Sequence, residues 1–233
     1  MKKTRLLLLI LLLMAALCLP MATGALAASE NALCSAQLLN DLGLLHGTPS
    51  GFSLDRAPTR AEAFTMLIRF LGQEQEALAT EFSPDWCTDV SQDDWFAPFV
   101  CYAYETGLTE GLQEGIFAPD RPATCRQFAL MMLRALGYDA PYEGALSAGQ
   151  ERGLFTYLVP SEASFTRGDM ALLCCGALQA QAVDGQALIA SLLSREVFTF
   201  DQVQSADFTK LSPVQSDGDA SSSLIVTVGG KAL

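Results

Sequence analysis

Three separated stretches of the chain carry apolar residues at a helical period, and each opens on threonine. They are TRAEAFTMLIRFLG from Thr59, TCRQFALMMLRALG from Thr124 and TRGDMALLCCGALQ from Thr166. Aligned on threonine, the recurring apolar positions are Ala63, Met66, Leu67 and Phe70, then Phe128, Met131, Met132 and Ala135, then Met170, Leu173, Cys174 and Ala177. That spacing predicts three amphipathic helices. Glu62, Gln127 and Asp169 follow their threonines by three residues, which is capping-box chemistry: the hydroxyl accepts a backbone N–H and the acid or amide reaches back. Asp169, the shortest, is expected to be the weakest cap. Gly72 and Gly137 are placed to close the first two helices in a left-handed turn. A helix start explains the threonine and the acid. It leaves the arginine between them unexplained.

The segment before the second helix is the fullest: FSPDWCTDVSQDDWFAPFVCYAYETGLTEGLQEGIFAPDRPATCRQ. Asp93 or Asp94 is expected to cap a helix in which Trp95, Phe99 and Tyr102 share a face, with Pro98 tolerated in its first turn. Gly107 ends that helix, and Gly111 and Gly115 shape the loop that leads through Phe117 and Pro119 to Thr124. The unit is a helix, a glycine-rich loop and a capped helix, repeated in tandem. The copies are bounded at 30–76, 82–140 and 141–182, followed by a tail from 183 to 233. In the third copy the loop is shorter, Gly153 lying 13 residues before Thr166 where Gly107 lies 17 before Thr124.

The first 27 residues read as a secretory signal peptide: MKKTR, an apolar run from Leu6 to Leu19, and small residues around Ala27. Cys18 follows Leu17, unlike a lipoprotein signal, and the apolar run is short of the ~20 residues of a spanning helix. No stable membrane span is expected after cleavage. The whole chain carries a formal charge of −12 from 14 basic and 26 acidic residues. The leader removes three basic residues and no acid, leaving 11 against 26, about −15. This balance excludes nucleic acid, whose phosphates require a basic face. Any anionic partner must be met by local arginines.

Six cysteines remain after the leader: Cys34, Cys87, Cys101, Cys125, Cys174 and Cys175. An exported chain permits disulfides, but the spacing has no framework regularity. Adjacent Cys174 and Cys175 point in different directions on a helix, Cys174 onto the apolar face and Cys175 partly off it. There is no CxxC pair and the single histidine is His46, so neither a metal site nor a cofactor is expected. His46 reads as a loop residue.

DVSQDDWFAPFVCYAYETGLTEG, the following GIFAPDRPAT and the three capped-helix motifs resemble the S-layer homology modules of bacterial surface proteins. The resemblance covers roughly residues 30 to 182 and is strongest in the second copy, degenerate in the third. It implies an all-α fold in which tandem modules form a pseudo-trimer around a central three-helix bundle. It also implies a secreted, cell-surface protein that binds secondary cell-wall polysaccharide, often pyruvylated, or another peptidoglycan-linked glycan, in grooves between modules. The motif arginine supplies the charge, and its planar fork suits a carboxylate. Arg60 and Arg167 hold that position. In TCRQ the position falls to Cys125, and Arg126, one step on, is turned by about 100°. One or two working grooves are therefore expected instead of three.

Other residues carry two readings. Trp95 is a core anchor or a sugar platform, Asp89 pairs with an arginine or caps a turn, and Trp86 sits in a Pro-Asp turn. Arg60, Arg167, Arg126, Asp89, Trp95 and Gly111 are the candidate ligand-binding residues; no catalytic residue is assigned. The tail reads as a short helix in ALIASLLSREVFTF, a polar linker in SPVQSDGDASSS, and a strand in SLIVTVGGKAL. The alternatives to wall anchoring are a degenerate scaffold that binds another envelope protein, and a cell-envelope enzyme. No separate domain or nucleophile context supports the enzyme.

Overall fold

The computed structural model describes residues 29–83, 87–214, 227–228 and 231–232. The expected signal peptide with Cys18, Trp86 and most of the expected polar linker lie outside the described residues. The fold is all-α. Helix α1 covers 29–41, followed by α2 (Arg60–Phe70), α3 (Glu74–Leu78), α4 (Ala97–Glu105), α5 (Cys125–Ala135), α6 (Ala145–Glu151), α7 (Arg167–Gln179), α8 (Leu188–Ser194) and α9 (Phe200–Ser205). The strand expected near the C-terminus amounts to a short pairing of Thr227–Val228 with Lys231–Ala232. Among the described residues no helix is long and apolar enough to cross a membrane.

All three threonine motifs form complete capping boxes at the starts of α2, α5 and α7. Asp169 is no weaker in geometry: its Oδ2 accepts the Thr166 N–H at 2.8 Å and the hydroxyl at 2.9 Å. Gly72 and Gly137 take positive φ. Around Gly72, Gln73 N–H reaches Ile68 O while the glycine N–H reaches Arg69 O, the paired bonds of a Schellman ending. Every predicted apolar-face residue of the three helices is buried except half-buried Ala135.

Each capped helix packs on the first helix of a neighbouring copy. α2 lies on α4 and α5 on α6. α7 meets α1, where the Cys175 thiol donates to Ser35 O. α5 also touches both α2 and α7. The helix starts make the same kind of crossing. Arg60 and Ala61 N–H donate to Arg121 O and Pro119 O, while Arg167 and Gly168 N–H donate to Arg56 O and Leu54 O. One apolar core runs through all three copies and the tail. A single unit would leave its apolar face wet, so the copies stabilise one another.

Three expectations are corrected. Neither Asp93 nor Asp94 caps α4; its cap position is Phe96 without a side-chain bond, and the Asp94 carboxylate instead accepts Ser91 N–H at 2.7 Å. Cys175 does not point off the core, because α7 is buried nearly all round and both adjacent thiols are fully enclosed. Burial pushes the Cys175 thiol up to about 12. The tail holds two helices where one was expected. It breaks at Glu196, where φ is 59°, into α8 and α9, buries Ile189, Leu192 and Val203, and returns to α1 through reciprocal bonds between Asn31 and Ser212, each 3.0 Å. A fourth capping box, Thr199 with Gln202, starts α9. The six described cysteines are free thiols.

Candidate functional site

A groove of about 170 Å³ opens where pieces of all three copies meet. One wall is α2, whose Glu62, Thr65, Met66 and Arg69 recur at helical spacing; Leu44, Leu45 and His46 face it from the first loop, and Trp95 and Arg167 complete it. Arg167 opens α7, half-buried, with its Nε donating to Phe52 O at 3.0 Å. That bond and the helix start fix the guanidinium against the groove. Burial pushes the Arg167 guanidinium down, Glu62 opposing this and Arg56 adding to it. Trp95 stands 60% exposed, braced edge-on against Phe96 at 5.4 Å between ring centroids. It is therefore not a core anchor, and its exposed side chain lines the groove. Thr65 Oγ1 is buried without a hydrogen-bond partner among the described residues.

Charges in the groove are mostly engaged. Arg69 Nε donates to Glu74 at 2.8 Å, and its guanidinium lies over Phe99. Glu62 serves the Thr59 cap and takes a two-pronged pair from Arg56. Arg167 is then the cation without a carboxylate partner within salt-bridge distance among the described residues. In a chain as acidic as this one, the site is a local island of positive charge.

Arg60, at the same motif position, is placed differently. It is 3% exposed, packed against an edge-to-face pair of rings, Phe117 at 4.9 Å and Phe64 at 5.6 Å, and its Nε donates to Phe117 O at 2.8 Å. Its Nη2 is buried without a partner among the described residues. Burial pushes this guanidinium down to about 10, nearby Arg121 adding to the effect and Asp89 and Tyr142 opposing it. Asp89 makes no direct pair with it. The carboxylate caps the turn at Phe117 and Ala118, accepting both N–H groups at 2.9 and 2.6 Å, and so holds Ala118 at φ 58°. Gly111 belongs to the same loop: a Cβ there would meet Ile116 O at 2.8 Å. This is a built junction rather than an open cleft.

At the third junction Cys125 is buried and burial raises its thiol to about 11. Arg126 turns outward, pairing with Glu162 and, through Nη1, with Glu143 at 2.6 Å, and lies over the Tyr142 ring. Of the six candidates, the structure brings Arg167 and Trp95 together in the groove and Arg60 and Asp89 together at a buried loop. Arg126 is apart from both. Arg56, Thr65, Arg69 and His46 lay outside the candidate set. Thr65 and Arg69 had a signal in the sequence, since they share a face of α2 with Glu62; the other two come to the site only by folding of the first loop.

The family model for the S-layer homology domain matches residues 88–129, which span Asp89, α4, the glycine-rich loop and the start of α5. The chain carries an S-layer homology domain. Relatives agree. The middle cell wall protein of Brevibacillus brevis is 31% identical over 189 residues, 74% of this chain and 18% of that one. The surface layer protein of Brevibacillus choshinensis is 37% identical over 107 residues, 46% of this chain and 10% of that one. A cell surface protein of Thermoanaerobacter kivui is 33% identical over 155 residues, 64% and 20% of the two chains. The chain thus spans about a fifth or less of the length of these relatives.

Proposed function

We propose that this chain is a non-catalytic anchor that attaches to the bacterial cell wall by binding anionic wall polysaccharide, with the copies closed into a ring and one groove at work, that of Arg167 and Trp95. The observation that carries this reading is the convergence of a held guanidinium and an exposed indole at one small opening. A planar cation suits a carboxylate such as a pyruvate ketal, and an aromatic face suits the apolar side of a sugar ring. The volume is below the roughly 300–1,000 Å³ of pockets that engulf a drug-sized ligand, which favours one terminal sugar over a buried chain segment. Neither other motif position offers the same chemistry: Arg60 is sealed beneath phenylalanines and Cys125 carries no charge. The names of the relatives, all wall or surface proteins, support the location at the cell surface.

Sedimentation with purified wall, before and after removal of its polysaccharide, tests the proposal. Arg167→Ala should weaken binding tenfold to a hundredfold, the effect of one charge-assisted contact of about 1.5 to 3 kcal/mol, with circular dichroism unchanged. Equal binding to stripped wall would favour the alternative of an envelope protein partner.

A further inference from the structure

Glu62 stands between two arginines. Arg56 meets it with both terminal nitrogens, Nη1 to Oε2 at 2.7 Å and Nη2 to Oε1 at 2.5 Å, while Arg167 faces the same groove. A carboxylate at the rim of an anion site ordinarily captures the nearest free guanidinium and cancels it. Here Oε2 already accepts Thr59 N–H at 2.9 Å as well, so about three of the four acceptor positions of the carboxylate are filled. We infer that Arg56 is a positioning residue for the anion site: by holding Glu62 in a two-pronged pair it leaves the guanidinium of Arg167 uncommitted. This rests on the reading of Arg167 given above.

The backbone supports the assignment. Arg56 O accepts the Arg167 N–H at 2.9 Å, so the residue that clamps Glu62 also seats the start of α7. With Arg56 in place, Arg56, Glu62 and Arg167 sum to one positive charge; without it, Glu62 and Arg167 sum to zero. Glu62 is held below the usual carboxylate range first by the Arg56 hydrogen bond, with Arg167 a smaller cause, which places both arginines within its electrostatic reach. The second copy lacks this arrangement. Arg121 stands three residues before Thr124 as Arg56 does before Thr59, but the cap partner there is the neutral Gln127. A glutamine therefore sustains the capping box, and Glu62→Gln should remove the charge without removing the cap.

The experiment is wall sedimentation by the full chain carrying Arg56→Gln, Glu62→Gln, both, or Arg167→Ala, using wall fragments with polysaccharide intact and thermal melts to confirm folding. Arg56→Gln should weaken binding about tenfold, as a lost charge-assisted contact would, although its side chain is not among the groove-lining groups. The double variant should regain binding to within about threefold of the original. Glu62→Gln alone should tighten binding about threefold or more, because it takes a negative charge from the groove wall, and carries the test if Arg56→Gln fails to fold. Unchanged binding in Arg56→Gln, a double variant as weak as the single one, or unchanged or weaker binding in Glu62→Gln would overturn the inference. If Arg167→Ala has no effect, the anion-site reading itself fails, and the role of Arg56 with it.

Discussion

Arg60 and Arg167 hold one position in two copies of one motif, and both donate Nε to a phenylalanine carbonyl of a neighbouring loop. What covers them differs. Over Arg60 the loop brings the Phe117 ring, and Phe64 closes from α2 itself; at Arg167 one side stays open toward Trp95 and His46. The same local fold thus yields a structural bolt in one copy and an accessible cation in the other. A helix-start motif specifies where the guanidinium begins, while the partner loop decides whether a ligand can meet it.

The comparison is broken most severely by altering how α7 sits. Where α2 and α5 carry Arg69 and Arg134 ten residues after their threonines, α7 carries Gly176, and a Cβ there would meet Leu154 O at 2.4 Å and Gly153 O at 3.0 Å. Backbone cannot give way as a side chain can. Gly176→Val should cost about 3 kcal/mol or more through overpacking and displace α7 with its arginine, lowering the denaturant midpoint and wall binding together. A midpoint within error of the original would mean that the close approach of the third loop is wrong.

Next in size is the stability split between the two arginines. Arg60→Ala removes a charge-assisted bond, two cation–π contacts and buried volume, which outweigh relief of the unpartnered Nη2; the loss should be roughly 2 kcal/mol. Arg167→Ala, half-exposed, should cost less than about 1 kcal/mol while carrying the larger effect on wall binding. Urea midpoints of the two variants, measured side by side, check this. Equal stability losses would remove the distinction between bolt and site.

What was legible in the chain follows the range of each interaction. Thr59, Thr124 and Thr166 cap through partners three residues away, so sequence spacing alone locates them, as it does the positive-φ glycines Gly72 and Gly137. The Thr199–Gln202 box had the same local signature, yet lay in a segment too short to show apolar periodicity. The fate of Arg60 was hidden because its cover, Phe117, is 57 residues distant. Cys175 was misplaced for a related reason. Periodicity assumes one wet face, and α7 has almost none, enclosed as it is by α1, α5 and α8. Trp95 looked like a core residue by its spacing to Phe99, but it precedes α4 instead of belonging to it.

The smallest expected effect gives the sharpest form of the comparison. Thr59→Ala and Thr166→Ala each remove one side-chain acceptor from a helix start of similar geometry, 3.3 Å at Glu62 N–H and 3.1 Å at Asp169 N–H, and each should lower stability by ~1 kcal/mol. Their effects on wall binding should differ. Both starts are held by two loop carbonyls, but Thr59 precedes an arginine sealed in the protein, where the Phe117 and Phe64 rings also resist fraying. Thr166 precedes the arginine of the groove, so loosening the first turn of α7 spreads the positions of that guanidinium and dilutes the one that meets an anion. Thr166→Ala should therefore weaken wall binding about twofold to threefold where Thr59→Ala leaves it unchanged, a few tenths of a kcal/mol measured by sedimentation at fixed ionic strength. The reverse order, with Thr59→Ala the weaker binder, would move the working site to the Arg60 junction.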